Sequence, residues 1–218
     1  MATAVAPAPL KFRYVSEKLQ GLLDAFVCTT STGADLSRFL RERAIKEQEE
    51  NISTTFVFLP PDESRVDAFV TLSATGVKTP PKYRERFPDR IVLPAVMIDY
   101  LAVSDAKRVE GGLGLRIFQW VESRVYPLNA SVGVRFVALD VYASDWGAYR
   151  RYASADWGFH ALPLRPDHSR REDSQDAPSA DDPPPTWLRP DRLIPMVYDL
   201  VEHNGPFELP PPVASAST

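Results

Sequence analysis

The sequence predicts a single α/β domain with a mixed central sheet flanked by helices. Segments with apolar residues at helical spacing alternate along the chain with β-branched and aromatic runs, which is typical of this fold class. The length of 218 residues suits one domain with appendages. The hydrophobic fraction of 44% and the charged fraction of 25% are those of a globular protein, which excludes a wholly disordered chain, a collagen and a coiled-coil rod.

Two helices are predicted at the start of the domain. Residues 16–28 place leucine and phenylalanine at helical spacing, and Asp35 is a candidate cap for a second helix. Residues 41–50 give that second helix a charged outer face. Its predicted buried stripe is Leu36, Phe39, Leu40, Ala44 and Ile45.

Six strands are predicted to form the sheet. Residues 54–59 (TTFVFL) and 66–74 (VDAFVTLSA) are predicted to pair as a hairpin across a proline turn. Residues 95–103 (AVMIDYLAV) are a nearly continuous apolar run, which predicts a central strand buried on both faces. The other three strands are predicted at residues 132–142, 159–164 and 192–198.

Helices and loops are predicted between the later strands. A long helix is predicted at residues 113–125, a short one at 145–153, and a short helical piece after the last strand. Residues 76–90 are charged and interrupted by prolines, which predicts a loop. Because helices alternate with strands, the sheet is expected to contain both parallel and antiparallel pairs.

The chain is predicted to combine one core with three flexible segments. Between Pro166 and Thr186 there are six acidic residues against two basic ones, a composition that buries too little apolar surface to offset chain entropy. The predicted division is a flexible N-terminus at 1–15, the core at 16–164, an acidic proline-rich disordered insert at 165–190, the closing strand and short helix of the core at 191–204, and a flexible tail at 205–218.

Composition also bears on compartment and partners. Cys28 is the single cysteine, which excludes an intrachain disulfide and a multi-cysteine zinc site and suits a reducing compartment. The first ten residues lack the pattern of a secretory signal, and no stretch approaches 18 uninterrupted apolar residues, so we expect a cytoplasmic protein with no membrane association. The formal net charge of −4 does not indicate a broad basic surface, and the three scattered histidines give no metal signature.

The glycine-containing turn after the predicted central strand is the candidate functional motif. Residues 108–114 (RVEGGLG) lie between a strand and a helix, where unpaired backbone N–H groups and the positive end of the helix dipole favour a phosphate. The alternative is an ordinary glycine turn. The spacing is not that of a dinucleotide-binding fingerprint, and no GK[ST] of a P-loop is present.

Short phrases occur in a characteristic order over residues 19–203. LAV at 101–103 precedes GLG at 112–114, and WGF at 157–159 precedes RLIPM at 192–196. Earlier phrases are FVC at 26–28, LSRFL at 36–40, STTFV at 53–57, FVTLSA at 69–74 and PAV at 94–96. This order resembles the GNAT superfamily of acyl-CoA-dependent N-acyltransferases. The closer resemblance is to its toxin-like branch, the acetyltransferases of toxin–antitoxin pairs that modify aminoacyl-tRNA.

The resemblance implies a GNAT-like fold, in which the sheet is splayed between two central strands, and a function in acetyl transfer. Acetyl-CoA, as acyl-donor co-substrate, is expected in the split. Its pantetheine would pair with the backbone of Leu101, Ala102 and Val103, and its pyrophosphate would lie on the turn. The turn residues implied are Arg108, Val109, Glu110, Gly111, Gly112, Leu113 and Gly114.

The resemblance also implies the partners. A primary amine, with aminoacyl-tRNA as a candidate, would enter from the side opposite the acyl donor. A homodimer and an antitoxin partner are further expectations from the family. Five basic residues in the predicted 76–90 loop are the candidate contacts for tRNA phosphates, with a solvated loop as the alternative: Lys78, Lys82, Arg84, Arg86 and Arg90.

Two departures from the family pattern bear on activity. Val109 stands where the family's turn has glutamine or arginine, and Glu110 adds a negative charge beside an anionic group. The family's catalytic tyrosine lies four residues before the late glycine, and counting back from Gly158 gives Ser154. Two extra residues in that loop would instead give the role of thiolate acid to Tyr152.

The alternative to an active enzyme is a GNAT-fold binding or regulatory module with weakened catalysis. Asp99 and Asp140 interrupt apolar strands, so they are candidate general bases acting through water, with an ordinary edge or capping role as the alternative. His160 follows the late glycine-phenylalanine and is a candidate on the acceptor side, with an ordinary strand histidine as the alternative.

Overall fold

The computed structural model describes residues 10–30, 32–164, 177–186 and 188–205. Its seven strands form one sheet in the order β1-β2-β3-β4-β5-β7-β6. The strands are β1 (Lys11–Tyr14), β2 (Thr54–Leu59), β3 (Ala68–Lys78), β4 (Val92–Val103), β5 (Phe136–Tyr142), β6 (His160–Ala161) and β7 (Leu193–Asp199).

Helices cover both faces of the sheet. No described helix is both long and apolar enough to cross a membrane. A 3₁₀ turn (Glu17–Leu19) precedes α1 (Gln20–Asp24), and the other helices are α2 (Gly33–Glu42), α3 (Ala44–Glu49), α4 (Pro81–Arg84), α5 (Asp105–Arg108), α6 (Leu113–Val132), α7 (Trp146–Tyr152) and α8 (Leu200–Asn204).

The sheet is mixed, as the sequence predicts, and it contains one parallel pair. β4 and β5 run parallel, and they pair only from Ala95–Phe136 to Ile98–Leu139. Beyond that pair both strands continue, β4 to Val103 and β5 to Tyr142, without pairing to each other. The predicted splay between two central strands is therefore present, and it opens toward the carboxyl ends of these strands.

A β-bulge in β4 coincides with the point of divergence. Thr71 of β3 pairs with Tyr100 and Leu72 pairs with Ile98, which leaves Asp99 as the extra residue. A bulge bends its strand and increases the local twist. The bend lies at the residue that follows the last pair with β5, so it turns the end of β4 away from β5.

Alternation along the strands divides the core between the two faces. Phe58, Val70 and Leu139 pack with α6 and α7 on one face. Val57 and Phe69 pack with α1 to α3 on the other. A third cluster on that second face joins α4 to β5 and β7.

A buried ion pair holds α4 and α8 to the sheet. The Arg135 guanidinium donates to Asp199 Oδ2 from Nε at 3.1 Å and from Nη2 at 2.8 Å. The Tyr83 hydroxyl donates to the same carboxylate oxygen, and it lies 2.9 Å from Glu202 Oε1. Asp199 Oδ1 accepts the N–H groups of Val201 and Glu202, which caps α8. Every polar atom of this carboxylate is therefore satisfied.

Several element boundaries differ from the prediction. Lys11–Tyr14, within the segment predicted to be a flexible N-terminus, pairs antiparallel with β2. β3 and β4 extend into the predicted 76–90 loop, and α4 occupies part of the remainder. α6 continues past the predicted end at Val125 through Pro127 to Val132. β4 is not buried on both faces: beyond Ile98 only Ala102 is buried, and Asp99 is exposed.

Part of the predicted insert contacts α7. The Trp146 indole N–H donates to the Asp182 carbonyl at 3.0 Å, and the Tyr149 hydroxyl donates to the Pro178 carbonyl. Leu188 is buried in the core beside α6. These two hydrogen bonds and the buried Leu188 offset chain entropy that composition alone leaves uncompensated. The rest of the insert, residues 165–176 and 187, lies outside the described residues.

Candidate active site

Two adjoining cavities occupy the split between β4 and β5. The turn-side cavity, about 480 Å³, is lined by the end of β4, the glycine turn, the start of α6 and α7. The strand-side cavity, about 730 Å³, is lined by the diverging parts of β4 and β5 and by α7. They share the lining residues Thr32, Leu36, Leu101, Asp145, Ala148 and Tyr152.

The glycine turn presents open backbone to the turn-side cavity. Gly111 and Gly112 both have positive φ, at 71° and 73°, and a Cβ on either would meet no atom within 4 Å. No hydrogen-bond acceptor within the described part of the chain takes the N–H groups of Gly112, Gly114 and Leu115. Free N–H groups at the start of the 20-residue α6 favour an anion. The turn therefore fits the phosphate part of an acyl-CoA.

The predicted turn residues divide into two groups. Gly111, Gly112, Leu113, Gly114 and Arg108 line the turn-side cavity, together with the strand residues Leu101, Ala102 and Val103. Val109 and Glu110 do not line it.

Val109 and Glu110 point away from the turn-side cavity. Val109 is 91% exposed, so its side chain leaves the backbone of the turn accessible. The Glu110 carboxylate is paired with Lys107 Nζ at 2.7 Å, which compensates the charge expected to disfavour phosphate. Neither side chain therefore covers the open backbone of the turn.

Basic side chains surround the turn-side cavity. Lys107, Arg108 and Arg151 are among its lining residues. Arg108 is paired with Asp105 at 2.7 Å, whereas Arg151 makes no ion pair within the described chain. The sequence reasoning missed Lys107 and Arg151. Each directly precedes a predicted site residue in the sequence, Arg108 and Tyr152, and this adjacency could have identified them.

Tyr152 lies at the junction of the two cavities. Its ring packs edge-on against Trp157, with ring centroids 4.9 Å apart, and contacts Phe159. Burial raises the pKa of its hydroxyl, which keeps the group protonated at neutral pH. No described residue makes a hydrogen bond with that hydroxyl. It is thus a partly buried acid that a ligand in either cavity can reach.

Ser154 is placed differently. Its hydroxyl donates to the Arg151 carbonyl at 2.7 Å, one turn back along the chain, and it lines neither cavity. Of the two alignments left open by the sequence, the one with Tyr152 brings an ionisable hydroxyl to the cavities. The loop from Tyr152 to Gly158 contains the two extra residues that this alignment requires.

Asp99 and Asp140 line the strand-side cavity on neighbouring strands. Burial raises the pKa of Asp99, with a partly compensating hydrogen bond from Ser73 and further repulsion from Glu47. Burial also raises the pKa of Asp140, and the negative charge of Asp99 adds to the effect. The sequence could not show that these two carboxylates interact, because their proximity depends on the parallel pairing.

The other candidates fall outside the site or have packing roles. His160 is exposed on β6 and lines neither cavity. Cys28 lines the turn-side cavity but is 5% exposed, and its sulfur lies 3.5 Å from the Thr30 hydroxyl. Across the described ranges, no cluster of histidine, cysteine, aspartate and glutamate side chains has the arrangement of a metal site.

Known structures share this fold. The chain covers 96% of a tyrosine-to-phenylalanine mutant of KacT with a TM-score of 0.63 and 16% identity, over 88% of its own length. It covers 95% of AtaT complexed with acetyl-methionyl-tRNAfMet with a TM-score of 0.58 and 16% identity, over 78% of its own length.

A third structure contains both an acyl donor and a protein partner. It is a tyrosine-to-phenylalanine mutant of the AtaT toxin bound to acetyl-CoA and to the C-terminus of the antitoxin AtaR, with 13% identity and a TM-score of 0.57. The match covers 88% of the present chain and 94% of that one. No protein-family model and no curated protein matches the sequence. At these identities the likeness establishes the shared fold, and the predicted GNAT-like fold is confirmed.

Proposed function

We propose that the chain is an acyl-CoA-dependent N-acyltransferase that moves an acetyl group from acetyl-CoA to a primary amine. The observation that carries the proposal is the position of Tyr152 between two cavities, one of which ends on open glycine backbone at the start of α6. The structure of AtaT with acetyl-CoA and antitoxin supports acetyl-CoA as the donor.

The turn-side cavity is the proposed donor site. The pantetheine amides would pair with the backbone of Leu101, Ala102 and Val103, whose β5-facing side has no strand partner. The pyrophosphate would accept the N–H groups of Gly112, Gly114 and Leu115. Lys107, Arg108 and Arg151 supply positive charge around it.

Tyr152 is the proposed catalytic acid. In the transfer, the amine nitrogen forms a bond to the acetyl carbon, and the carbon–sulfur bond breaks. An acceptor that arrives as an ammonium ion loses two protons overall. The Tyr152 hydroxyl would donate its proton to the leaving thiolate and regain one from the amine. The second amine proton would pass through water to a carboxylate of the strand-side cavity or to solvent.

Aminoacyl-tRNA and an antitoxin are candidate partners. AtaT has been solved with acetyl-methionyl-tRNAfMet and with its antitoxin, which supports testing both classes. In the predicted basic segment, Arg84 and Arg90 make no ion pair with any described residue, whereas Lys82 is paired with Glu202 at 2.9 Å. A homodimer remains an expectation from the resemblance.

A GNAT-fold binding module without turnover is the alternative function. The observation that favours it is Val109, which stands where the family pattern has a polar residue and whose side chain is almost fully exposed. This module would bind acetyl-CoA through backbone groups and release no thiol in the presence of amines.

The first experiment is calorimetric titration of the full chain with acetyl-CoA, using two matched glycine variants. Gly112 and Gly133 lie at opposite ends of α6, both have a φ of 73°, and a Cβ on either meets no atom within 4 Å. Gly112→Asp is expected to lower the affinity by about tenfold or more, because it brings a carboxylate to the phosphates. Gly133→Asp carries the same backbone strain and should leave the affinity unchanged.

The outcomes separate the two functions. Binding that Gly112→Asp alone abolishes, with thiol release in the presence of an amine, supports the transferase. Binding without thiol release from any amine supports the module. Absence of binding at millimolar acetyl-CoA would refute both.

A further inference from the structure

The second half of β3 leaves one edge of the sheet open. The antiparallel pairing of β2 with β3 ends at Thr54 and Leu72, whereas β3 continues to Lys78. Over residues 73–78, β3 pairs with β4 and with no other described strand. Residues 74–76 are exposed. The outer side of residues 73–78, called here the β3 edge, can therefore pair with a further strand.

The β3 edge lacks the features that normally keep exposed edges apart. Native sheets protect their edges with charged side chains, prolines, bulges or very short strands. At the two ends of this sheet, β1 carries Lys11 and Arg13, and β6 has only two residues. Residues 73–77 are Ser-Ala-Thr-Gly-Val, with no charge and no proline, and the register shift against β4 lies before them. An edge of this composition can accept another strand.

The end of α6 adds an exposed apolar surface on one face of the sheet. The buried stripe of α6 includes Val121 and Val125, and it continues at helical spacing to Leu128 and Val132. These last two are exposed, Val132 to 66%. A helical stripe that stays apolar after it emerges from the core indicates a surface that another molecule covers.

β4 connects this surface to the β3 edge. Strand alternation places Val92 and Pro94 on the α6 face, because Val96 packs in the cluster that contains α6. Both are exposed, and the Val92 side chain occupies the space that a Cβ on Gly76 would need. The Arg135 N–H, just after α6, donates to the Pro94 carbonyl at 2.8 Å. The apolar surface and the open edge are therefore adjacent.

We propose that a second copy of this chain pairs with the β3 edge about a two-fold axis at Thr75, so that the two sheets join into one. Antiparallel pairing places Thr75 opposite its own copy. It also places Ala74 opposite Gly76, and Ser73 opposite Val77, all with side chains small enough to pair closely. The interface is isologous, and α6 of both copies lies on the same face, so the apolar surface of each copy meets that of the other.

The charges at the two ends of the β3 edge favour a second copy over a different chain. Lys78 lies at one end, and Glu49, the last residue of α3, precedes β2 at the other. Neither makes an ion pair with any described residue. Two-fold antiparallel pairing brings the Lys78 end of each copy to the Glu49 end of the other, so opposite charges approach each other twice.

The test is the oligomeric state of the full chain, measured by sedimentation equilibrium over a wide range of concentration. A dimer is expected. Thr75→Lys should raise its dissociation constant at least about tenfold, because it places like charges directly opposite each other across the axis. Val132→Lys should also weaken the dimer, because it puts a charge into the apolar surface.

Val27→Lys is the matched control for Val132→Lys. Val27 is 54% exposed and lies at the opposite end of β4, where its carbonyl accepts the Asp105 N–H at 3.0 Å. This variant should change the dissociation constant by less than about twofold. Unfolding curves of the variants establish that they are folded.

Thr75→Cys tests the register directly. Opposed residues of an antiparallel pair have Cβ atoms about 4.5–5.5 Å apart, close to the separation that a disulfide spans. Mild oxidation should therefore cross-link this variant into a covalent dimer. Tyr14→Cys, an exposed position on β1 at the end of the sheet, should not cross-link, and neither should the parent, whose Cys28 is buried.

A monomer at every concentration would overturn the inference. So would a dimer that Thr75→Lys and Val132→Lys leave unchanged, or cross-linking that is as efficient in Tyr14→Cys as in Thr75→Cys. These measurements need neither acetyl-CoA nor an amine, so their outcome is independent of the proposed transferase activity.

Discussion

The indole of Trp157 lies edge-on against the ring of Tyr152, with ring centroids 4.9 Å apart. The same indole lies 3.7 Å from the position that a Cβ on Gly114 would take. One aromatic side chain therefore connects the start of α6 to the end of α7. It fixes the tyrosine relative to the turn proposed to hold phosphate.

Replacing Tyr152 by phenylalanine should remove turnover and spare binding. Tyr152→Phe deletes the proposed acid and keeps the contact with Trp157, so thiol release is expected to fall by about 100-fold or more. The affinity for acetyl-CoA should stay within about twofold, as measured by calorimetry.

Tyr149→Phe is the control on the same helix, because the Tyr149 hydroxyl binds the Pro178 carbonyl and lines neither cavity. Equal loss of turnover in both variants would show that the effect comes from disturbing α7 and not from the missing acid.

A methyl group at Gly158 should destabilise the fold through a steric clash. Its φ is 66°, and a Cβ there would lie 2.7 Å from the His203 ring and 3.2 Å from the Tyr198 ring. Gly158→Ala is expected to lower the free energy of unfolding by about 2 kcal/mol or more, measured in urea.

Gly205→Ala separates strain from clash, since Gly205 has a similar φ of 78° with no atom within 4 Å. If both variants lose the same stability, the backbone conformation alone explains the effect, and the ring contacts contribute nothing.

Asp140→Asn should stabilise the ligand-free protein at neutral pH. Burial and the charge of Asp99 raise the pKa of Asp140 in the folded state, so ionisation disfavours folding. The sign follows from linkage: the penalty is absent well below the unfolded pKa of about 3.9, grows as pH rises through the folded pKa, and is complete above it. The variant should therefore be more stable than the parent at pH 7 and equal to it near pH 3.

Thermal unfolding at the two pH values checks this, with Asp191→Asn as control. The charged groups near Asp140 are Asp99 on β4, itself repelled by Glu47 on α3, and the paired Asp191. A stabilising effect of the same size at pH 3 would mean that packing and not charge is responsible.

Asp199→Asn should have the opposite effect and destabilise the protein at neutral pH. Burial alone raises the pKa of Asp199, but hydrogen bonds from Tyr83, from the backbone of Glu202 and from Arg135 outweigh it, and the net pKa is lowered. This stabilisation is present above the unfolded pKa of about 3.9 and is lost as pH falls through the folded pKa. Asp199→Asn leaves the buried Arg135 uncompensated and is expected to cost about 3–5 kcal/mol at pH 7.

Asp191→Asn provides the exposed comparison, because its pair with Arg189 is at the surface and should contribute little to stability. Denaturant unfolding at pH 7 gives both values. A small effect at Asp199 would show that water compensates Arg135 in the variant.

The spacing of apolar residues along the sequence was sufficient to predict the order of the main helices and strands. β2 has the predicted bounds, Thr54–Leu59, because a β-branched and aromatic run ends at two prolines. β1 was missed because four residues after an alanine- and proline-rich stretch have no pattern of their own, and their pairing with β2 depends on contacts distant in sequence. Proline at position 127 predicts a helix end, yet tertiary packing carries α6 past it.

The candidate site was predictable only in part. The glycine turn and the LAV strand are contiguous in sequence, so their place in the turn-side cavity followed from strand–turn–helix order. The proximity of Asp99 to Asp140 was not predictable, because it depends on a bulge and on the register between two strands separated by a whole helix. That Tyr152 lines the cavities and Ser154 does not likewise depends on the loop geometry.

The divergence of β4 from β5 creates a sheet edge in the middle of the sheet. From Tyr100 to Val103 one side of β4 pairs with β3, while the other presents backbone donors and acceptors that no strand takes. Exposed edges of this kind template association with other extended chains. A ligand whose amides pair with this edge would act as a short substitute strand. When the ligand dissociates, this strand edge is unpaired again and can associate with other chains. Loss of ligand should therefore lower solubility as well as stability.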